Sequence, residues 1–344
     1  MDRRGGGFND GVGLDRTRAE GRTARSAPCL LPGSDGVGGI VASCGLTMAP
    51  TAPRLSELSA PALWWRRGKQ LVLQAQRLAR WSATPEHWPR PMLAPTRGLS
   101  VQVASHRVDM ARADPEADAV LEAGKQHNLR LAAPAFDGLW VTPERPLSFW
   151  RVLGRLSEDA GYRHGLALRG GCLTPSVGGG ICLLANALFE MTARQGWHIL
   201  ERFGHTMEAV PPVPGTLWGM DATVVWPYVD LVVAPREGPV RLGARVVEGQ
   251  LRLTLHAESA PRTRSRLWAE DEALVETAEG WVRSNRIVRA LEDVATGEEL
   301  GREALAENRR RLLSPESRQR TCRTCGETAC HARVEVPASE VRRS

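Results

Sequence analysis

Three glycines running into a cysteine, Gly178-Gly179-Gly180-Ile181-Cys182, form the stretch of this chain best suited to chemistry. Glycines let the backbone turn freely and approach a ligand closely. They open a predicted helix, 182–194, whose first-turn N–H groups and positive dipole end favour an anion, carboxylate or phosphate. Cys182 at that end gains thiolate character over a free cysteine. Two readings follow: a carboxylate-binding nest at Gly178, Gly179 and Gly180, or a cysteine nucleophile in need of a base. His205, in Phe203-Gly204-His205-Thr206, is the nearest base in sequence, with Asp221 or Asp230 to orient it. A Cys-His-acid group is what thiol-dependent acyl transfer or hydrolysis requires. Arg151 and Arg202 could each bring a guanidinium to a ligand carboxylate. Every one of these residues also has a plainer role, as small buried thiol, hydrogen-bonded histidine, turn aspartate or surface ion pair.

A second group lies near the C-terminus. Cys322-Arg323-Thr324-Cys325 followed by Cys330-His331 places four soft donors within ten residues, a set able to complete a tetrahedral zinc shell. Adjacent side chains diverge, which strains a site using both Cys330 and His331, so free thiols or a redox pair stand beside zinc as readings.

The elements that must position these groups read as α+β. Leu183, Leu184, Ala187, Leu188 and Met191 share one face of the 182–194 helix, and Gly196 caps it. Leu139-Trp140-Val141 reads as a short strand ended by Pro143. Residues 222–226 and 230–233 are β-rich, and alternation on both sides of Glu248-Gly249 marks a hairpin. Strands grouped after a helix, with antiparallel pairing, favour α+β over a doubly wound sheet. Residues 261–312 read as an α/β extension with one or two strands and a polar helix over 301–312, and 313–344 as an Arg- and Cys-rich tail.

The N-terminal third is of a different kind. Residues 1–47 are glycine-rich without periodicity and are expected to be disordered, or upstream sequence before a true start at Met48. Residues 48–125 read as a basic helical region, with an amphipathic helix over 61–82 flanked by Trp64, Trp65 and Trp81. Between Arg54 and Arg97 eight basic residues face two acidic ones, a surplus that equals the net charge of +6 of the whole chain. Such a helix fits an anionic membrane surface, a phosphate-bearing partner, or simply a solvated basic face. No recognition motif supports nucleic-acid binding, and the Arg-rich ends with a zinc tail only permit it.

Of the 344 residues 42% are apolar and 24% charged, which excludes a wholly disordered or collagen-like chain. No apolar run approaches the ~18 residues a spanning helix needs. Seven cysteines, unevenly spaced, do not make a disulfide framework. With no signal-peptide pattern at the start, the expected location is cytoplasmic, at most peripheral on the inner membrane face.

Five ordered motifs carry a family resemblance: 129–133 with Phe136-Asp137-Gly138-Leu139, then 146–151, 178–182, 199–205, and Gly219-Met220-Asp221-Ala222-Thr223. Together they resemble the VanW family, with a core over 126–260. The resemblance implies a link to glycopeptide resistance or cell-wall metabolism. It also implies a ligand that is a peptidoglycan precursor or another carboxylate, such as a D-Ala-D-Ala terminus. Family members commonly carry Gln after the motif cysteine and Ser or Thr soon after, where this chain has Leu183 and Ala185. Cys182, His205 and Asp221 are kept. The alternative functions are a non-enzymatic membrane-surface or partner-docking protein and a zinc-tailed nucleic-acid binder.

Overall fold

Strands form here where buried positions alternate, and helices where they recur every three or four residues. A computed structural model describes residues 59–83, 92–93, 98–111, 118–169, 171–208, 217–278, 280–313, 321–322, 324–326, 330 and 333. The expected 1–47 extension and His331 lie outside these residues.

Helix α1 (Ala60–Ala83) precedes strands β1 (Met92–Leu93) and β2 (Val101–Asp109). Helix α2 (Ala119–Ala132) is capped by Asp118, whose carboxylate accepts the Leu121 amide at 3.3 Å. A 3-10 turn over 133–136 leads to β3 (Leu139–Val141), β4 (Leu147–Ser148) and the short α3 (Phe149–Leu153). The hairpin β5 (His164–Arg169) and β6 (Cys172–Val177) feeds helix α4 (Cys182–Arg194). After it come β7 (His198–Glu201), β8 (Met207–Glu208), β9 (Val232–Ala234), β10 (Val240–Val247) and β11 (Gln250–Ala257). Three long strands close the fold: β12 (Thr263–Thr277), β13 (Gly280–Asp293) and β14 (Glu299–Leu312).

The protein is α+β. Its largest sheet runs in the order β1-β3-β10-β11-β2 and is antiparallel throughout. Leu242, Ala244, Leu251, Leu253 and Leu255 are buried on its inner face, and the β10–β11 turn uses Glu248 and Gly249, both at positive φ. Helix α4 packs against β2, β11 and β12, so its apolar face, with Leu184, Leu188 and Met191, fills the space between two sheets. The second of these has the order β12-β13-β14-β8.

The stretch 301–312, expected as a polar helix, is strand β14 along its whole length. Its inward positions Ala306, Asn308 and Arg310 alternate with exposed Glu307 and Arg309. The period is two, but polar groups occupy the inner face, so alternation of hydrophobicity never shows. Residues 222–226 also depart from expectation: only a single bridge, Val225 with Val229, forms there, while β9 takes up 232–234.

Candidate functional site

Helix α4 begins at Cys182 because the chain before it makes a tight turn that only glycine permits. Gly178 and Gly180 have φ of 74° and 91°, in the left-handed region. Between them Gly179 lies flat against the β5 backbone, and a side-chain carbon there would sit 2.1 Å from the Gly165 carbonyl oxygen. Asn128, fully buried on α2, clamps both segments: its amide nitrogen donates to Arg163 O at 2.9 Å and Gly179 O at 3.0 Å, and its oxygen accepts the Arg163 amide at 2.8 Å. At the far end Gly196, φ 75°, stops the helix, with the Trp197 amide returning to Thr192 O at 3.0 Å.

The turn spends several of its amides internally. Gly178 donates to Arg163 O at 3.0 Å, Gly179 to Ser176 O at 2.7 Å and Ile181 to Gly178 O at 3.4 Å. Close packing against Gly165, Leu156 and Lys125 accounts for all three glycines. Among the described residues, no backbone carbonyl takes the amides of Gly180 and Cys182. The open donors are thus fewer than the glycine run predicts, and one belongs to the cysteine itself.

Cys182 and Asn186, one turn apart on α4, both reach the segment after Asp221. The sulfur lies 3.9 Å from Val224 O, and the Asn186 side-chain oxygen accepts the Ala222 amide at 2.8 Å. His205 follows β7 in an irregular stretch. Its Nδ1 pairs with Asp221 Oδ2, and its backbone amide donates to the same oxygen at 3.2 Å. The Cys182 side chain is the other polar group close enough to raise the pKa of the imidazole. The carboxylate that pairs with His205 is therefore Asp221 rather than Asp230.

Asp221 is buried among cations. Arg202 donates to its Oδ1 at 3.0 Å and to its backbone oxygen at 2.7 Å, and to Gly219 O at 2.9 Å. Arg310, from β14, closes on the same Oδ1. Asn308 accepts from both arginines, at 3.2 and 3.4 Å, and donates to Asn285, which in turn holds Trp218 O at 2.9 Å. Gly219 has φ 97°, and a side chain there would strike the Asn308 amide.

This arrangement decides the charges. Burial works against an imidazolium at His205, but its hydrogen bonds to Asp221 and Cys182 and their charges prevail, raising its pKa to about 9. Burial likewise opposes ionisation of Asp221, yet His205, Arg310 and Arg202 hold it well below the usual carboxylate range. His205 keeps 24% of its side chain exposed against 12% for Asp221, so the histidine is the wetter of the two.

Arg202 is a holder of Asp221 and its loop, stacked 5.1 Å over Phe189, rather than a donor left open for a ligand. Arg151 stands apart from the Asp221 cluster, 5.6 Å over the Trp81 ring of α1. Asp230 is fully buried elsewhere, accepting from Ser148 Oγ at 2.5 Å, the Trp150 amide at 3.1 Å and the Leu231 amide at 2.9 Å. Burial, reinforced by Glu201, raises its pKa to about 7 against the hydrogen bonds from Ser148 and Trp150.

In the tail, the Cys322 amide bonds Leu173 O at 3.0 Å and the Cys325 amide bonds Thr321 O at 2.8 Å, tying this turn to β6. Cys322, Cys325 and Cys330 are each partly buried. Among the described residues no three His, Cys, Asp or Glu side chains gather as a metal-binding group.

The cluster also contains residues that the sequence does not single out: Asn128, Asn186, Asn285, Asn308 and Arg310. Each is a polar residue in an element read for its apolar periodicity, or not read as an element at all. The signal that could find them is the buried face itself, which sequence does not display.

An α+β scaffold presenting a cysteine at a helix start, backed by histidine and aspartate, defines the class. Residues 124–256 match the family model described as VanW like protein. It is 35% identical over 117 residues to the "Vancomycin B-type resistance protein VanW" of Enterococcus faecalis (strain ATCC 700802 / V583), covering 34% of this chain and 42% of that protein. It is 34% identical over 143 residues to the "Uncharacterized protein YoaR" of Bacillus subtilis (strain 168), covering 41% of this chain and 46% of that one. The chain thus spans less than half the length of these relatives. No solved structure matches it significantly. Among the described residues no helix is long and apolar enough to cross a membrane.

Proposed function

We propose that this VanW-like protein binds a carboxylate-bearing, peptidoglycan-related ligand, such as a precursor ending in D-Ala-D-Ala, and takes its acyl group onto Cys182 for transfer or hydrolysis. One observation carries the reading: His205 is bonded to Asp221, and Cys182 is the further group that acts on the same imidazole. With Nδ1 taken by Asp221, Nε2 remains to serve the sulfur. The thiolate attacks the ligand's amide carbon, forming a C–S bond. As the C–N bond breaks, the imidazolium passes its proton to the departing amine. Water or an acceptor amine then attacks the thioester, giving up a proton to His205 and restoring the thiol pair. The Cys182 amide, open at the first turn of α4, is suited to the oxyanion. Two arginines and an imidazolium around one carboxylate leave a net positive charge beside Cys182, which favours an anionic ligand. The name of the Enterococcus relative supports a link to glycopeptide resistance.

The test is alkylation of the native protein with iodoacetamide near neutral pH, read residue by residue by mass spectrometry. Cys182 should react faster than it does in denaturant, and a D-Ala-D-Ala-terminated peptide should slow it. A Cys182 that reacts no faster native than unfolded, in the wild type and in Asp221→Asn alike, would sink the reading.

A further inference from the structure

Helix α1 is amphipathic the wrong way round for a helix that belongs only to a globular core. It docks through its polar side. Arg77 forms an ion pair with Glu201 and donates to Tyr228 O at 3.2 Å, while Gln74 reaches Trp226 O at 3.4 Å. Trp81 completes the contact, edge-on to Trp226 with ring centres 5.8 Å apart. Arg77 and Trp81 are the only buried residues of its 24.

The opposite side is apolar and open. Trp64 is 73% exposed, Trp65 76%, Leu71 64%, Val72 56% and Leu78 44%. At 3.6 residues per turn these five fall within an arc of about 140°, which also holds Pro61, Gly68, Ala75, Ala79 and Ser82 but no charged residue. Arg67 borders the arc on one edge, and Lys69 and Arg80 on the other. The helix has no Asp or Glu at all. A core helix would turn this face inward; here the ion pair at Arg77 holds it outward.

We infer that the Trp64–Trp65–Leu71–Val72–Leu78 face of α1 lies on an anionic lipid surface, with Arg67 and Lys69 reaching the headgroups. The basic edges decide the occupant. Two copies placed face to face would bring like charges together, whereas anionic headgroups meet both edges while acyl chains take the centre. Indole rings suit that boundary, since one end is apolar and the other can hydrogen-bond. The helix, about 36 Å long, would lie flat rather than cross. This inference is independent of any chemistry at Cys182.

The experiment is flotation of the full-length protein with vesicles of phosphatidylcholine, with and without phosphatidylglycerol. The expected result is flotation with phosphatidylglycerol vesicles only, weakened by salt. Binding should fall roughly tenfold or more in W64S/W65S and in R67E/K69E, while both keep the wild-type circular dichroism and Cys182 alkylation rate. Wild-type protein that stays below phosphatidylglycerol vesicles overturns the inference, as does equal flotation of W64S/W65S or equal flotation on neutral vesicles. A dimer seen by ultracentrifugation that W64S/W65S abolishes, without flotation, would give the face to a second copy instead.

Discussion

Arg310, on the last strand, closes its guanidinium on the carboxylate of Asp221, 89 positions earlier in the chain. The contact turns a loop aspartate into a fixed anion shared by two arginines and His205. Removing the anion should therefore hurt more than removing one cation. Asp221→Asn leaves three buried or half-buried cations without their counter-charge, at a cost of roughly 3–5 kcal/mol. Arg310→Met leaves Asp221 with Arg202 and His205 and should cost less, about 1–3 kcal/mol. Urea unfolding of both variants at neutral pH gives the order; the reverse order would mean the cluster is not organised around Asp221.

Stability should fall on the alkaline side through His205. Its pKa is raised from 6.5 to about 9 in the folded protein. Protonated histidine therefore stabilises the fold fully below 6.5, and that contribution is lost as pH climbs through about 9. The loss is up to roughly 3 kcal/mol. His205→Gln should flatten this limb of the stability–pH curve, and Cys182→Ala should flatten part of it, because the sulfur supplies part of the shift. Denaturation midpoints from neutral to alkaline pH measure both.

Asp230 has the opposite sign from Asp221. Its folded pKa, raised from 3.8 to about 7, means that ionising it in place opposes folding, so its penalty grows as pH rises between those values. Asp230→Asn keeps an acceptor for the Trp150 and Leu231 amides and can donate to Ser148 Oγ. It should be close to neutral in acid and stabilising above pH 7, where the charge has gone. Asp230→Ala, which orphans those donors, should cost about 2–4 kcal/mol at any pH. Parallel urea titrations of the three proteins in acid and in base separate the two effects.

Gly179→Ala should be far more damaging than Gly249→Ala. The first places a carbon 2.1 Å from a backbone oxygen that cannot step aside, while the second meets open space. A cost above about 3 kcal/mol, or failure to fold, is expected at 179. At 249 only the left-handed backbone is strained, about 1 kcal/mol. Comparable melting temperatures for the two would refute the packing account of the glycine run.

Helix α4 and the β10–β11 hairpin could be read directly from the residues. Their apolar spacing, the stop at Gly196 and the turn at Glu248-Gly249 are local signals, and local signals survive into the fold. The pairing of Cys182, His205 and Asp221 was also within reach, because residue type narrows the partners a thiol can use. What stayed hidden is the support around them. β14 reads as a polar helix because Asn308 and Arg310 face inward, and a period of two carried by polar residues leaves no hydrophobic trace. α2 hides Asn128 for a similar reason: a fully buried asparagine looks like a surface one until its three partners are seen. The glycine run read as a ligand cradle proves to be largely a close backbone crossing, since three glycines can answer either need and only the neighbours distinguish them.

The boundary of family likeness and the boundary of the chemical unit do not coincide. Residues 124–256 carry Cys182, His205, Asp221 and Arg202, but Arg310, Asn308 and Asn285 lie beyond them. A fragment trimmed to the shared region would keep every group that sequence comparison recognises, yet lose half the guanidinium support of its central acid and the amide ladder beneath Gly219. In this chain the neighbourhood of the cysteine is tuned by long strands that follow the matched region, so its electrostatic setting is written outside the stretch that carries the likeness.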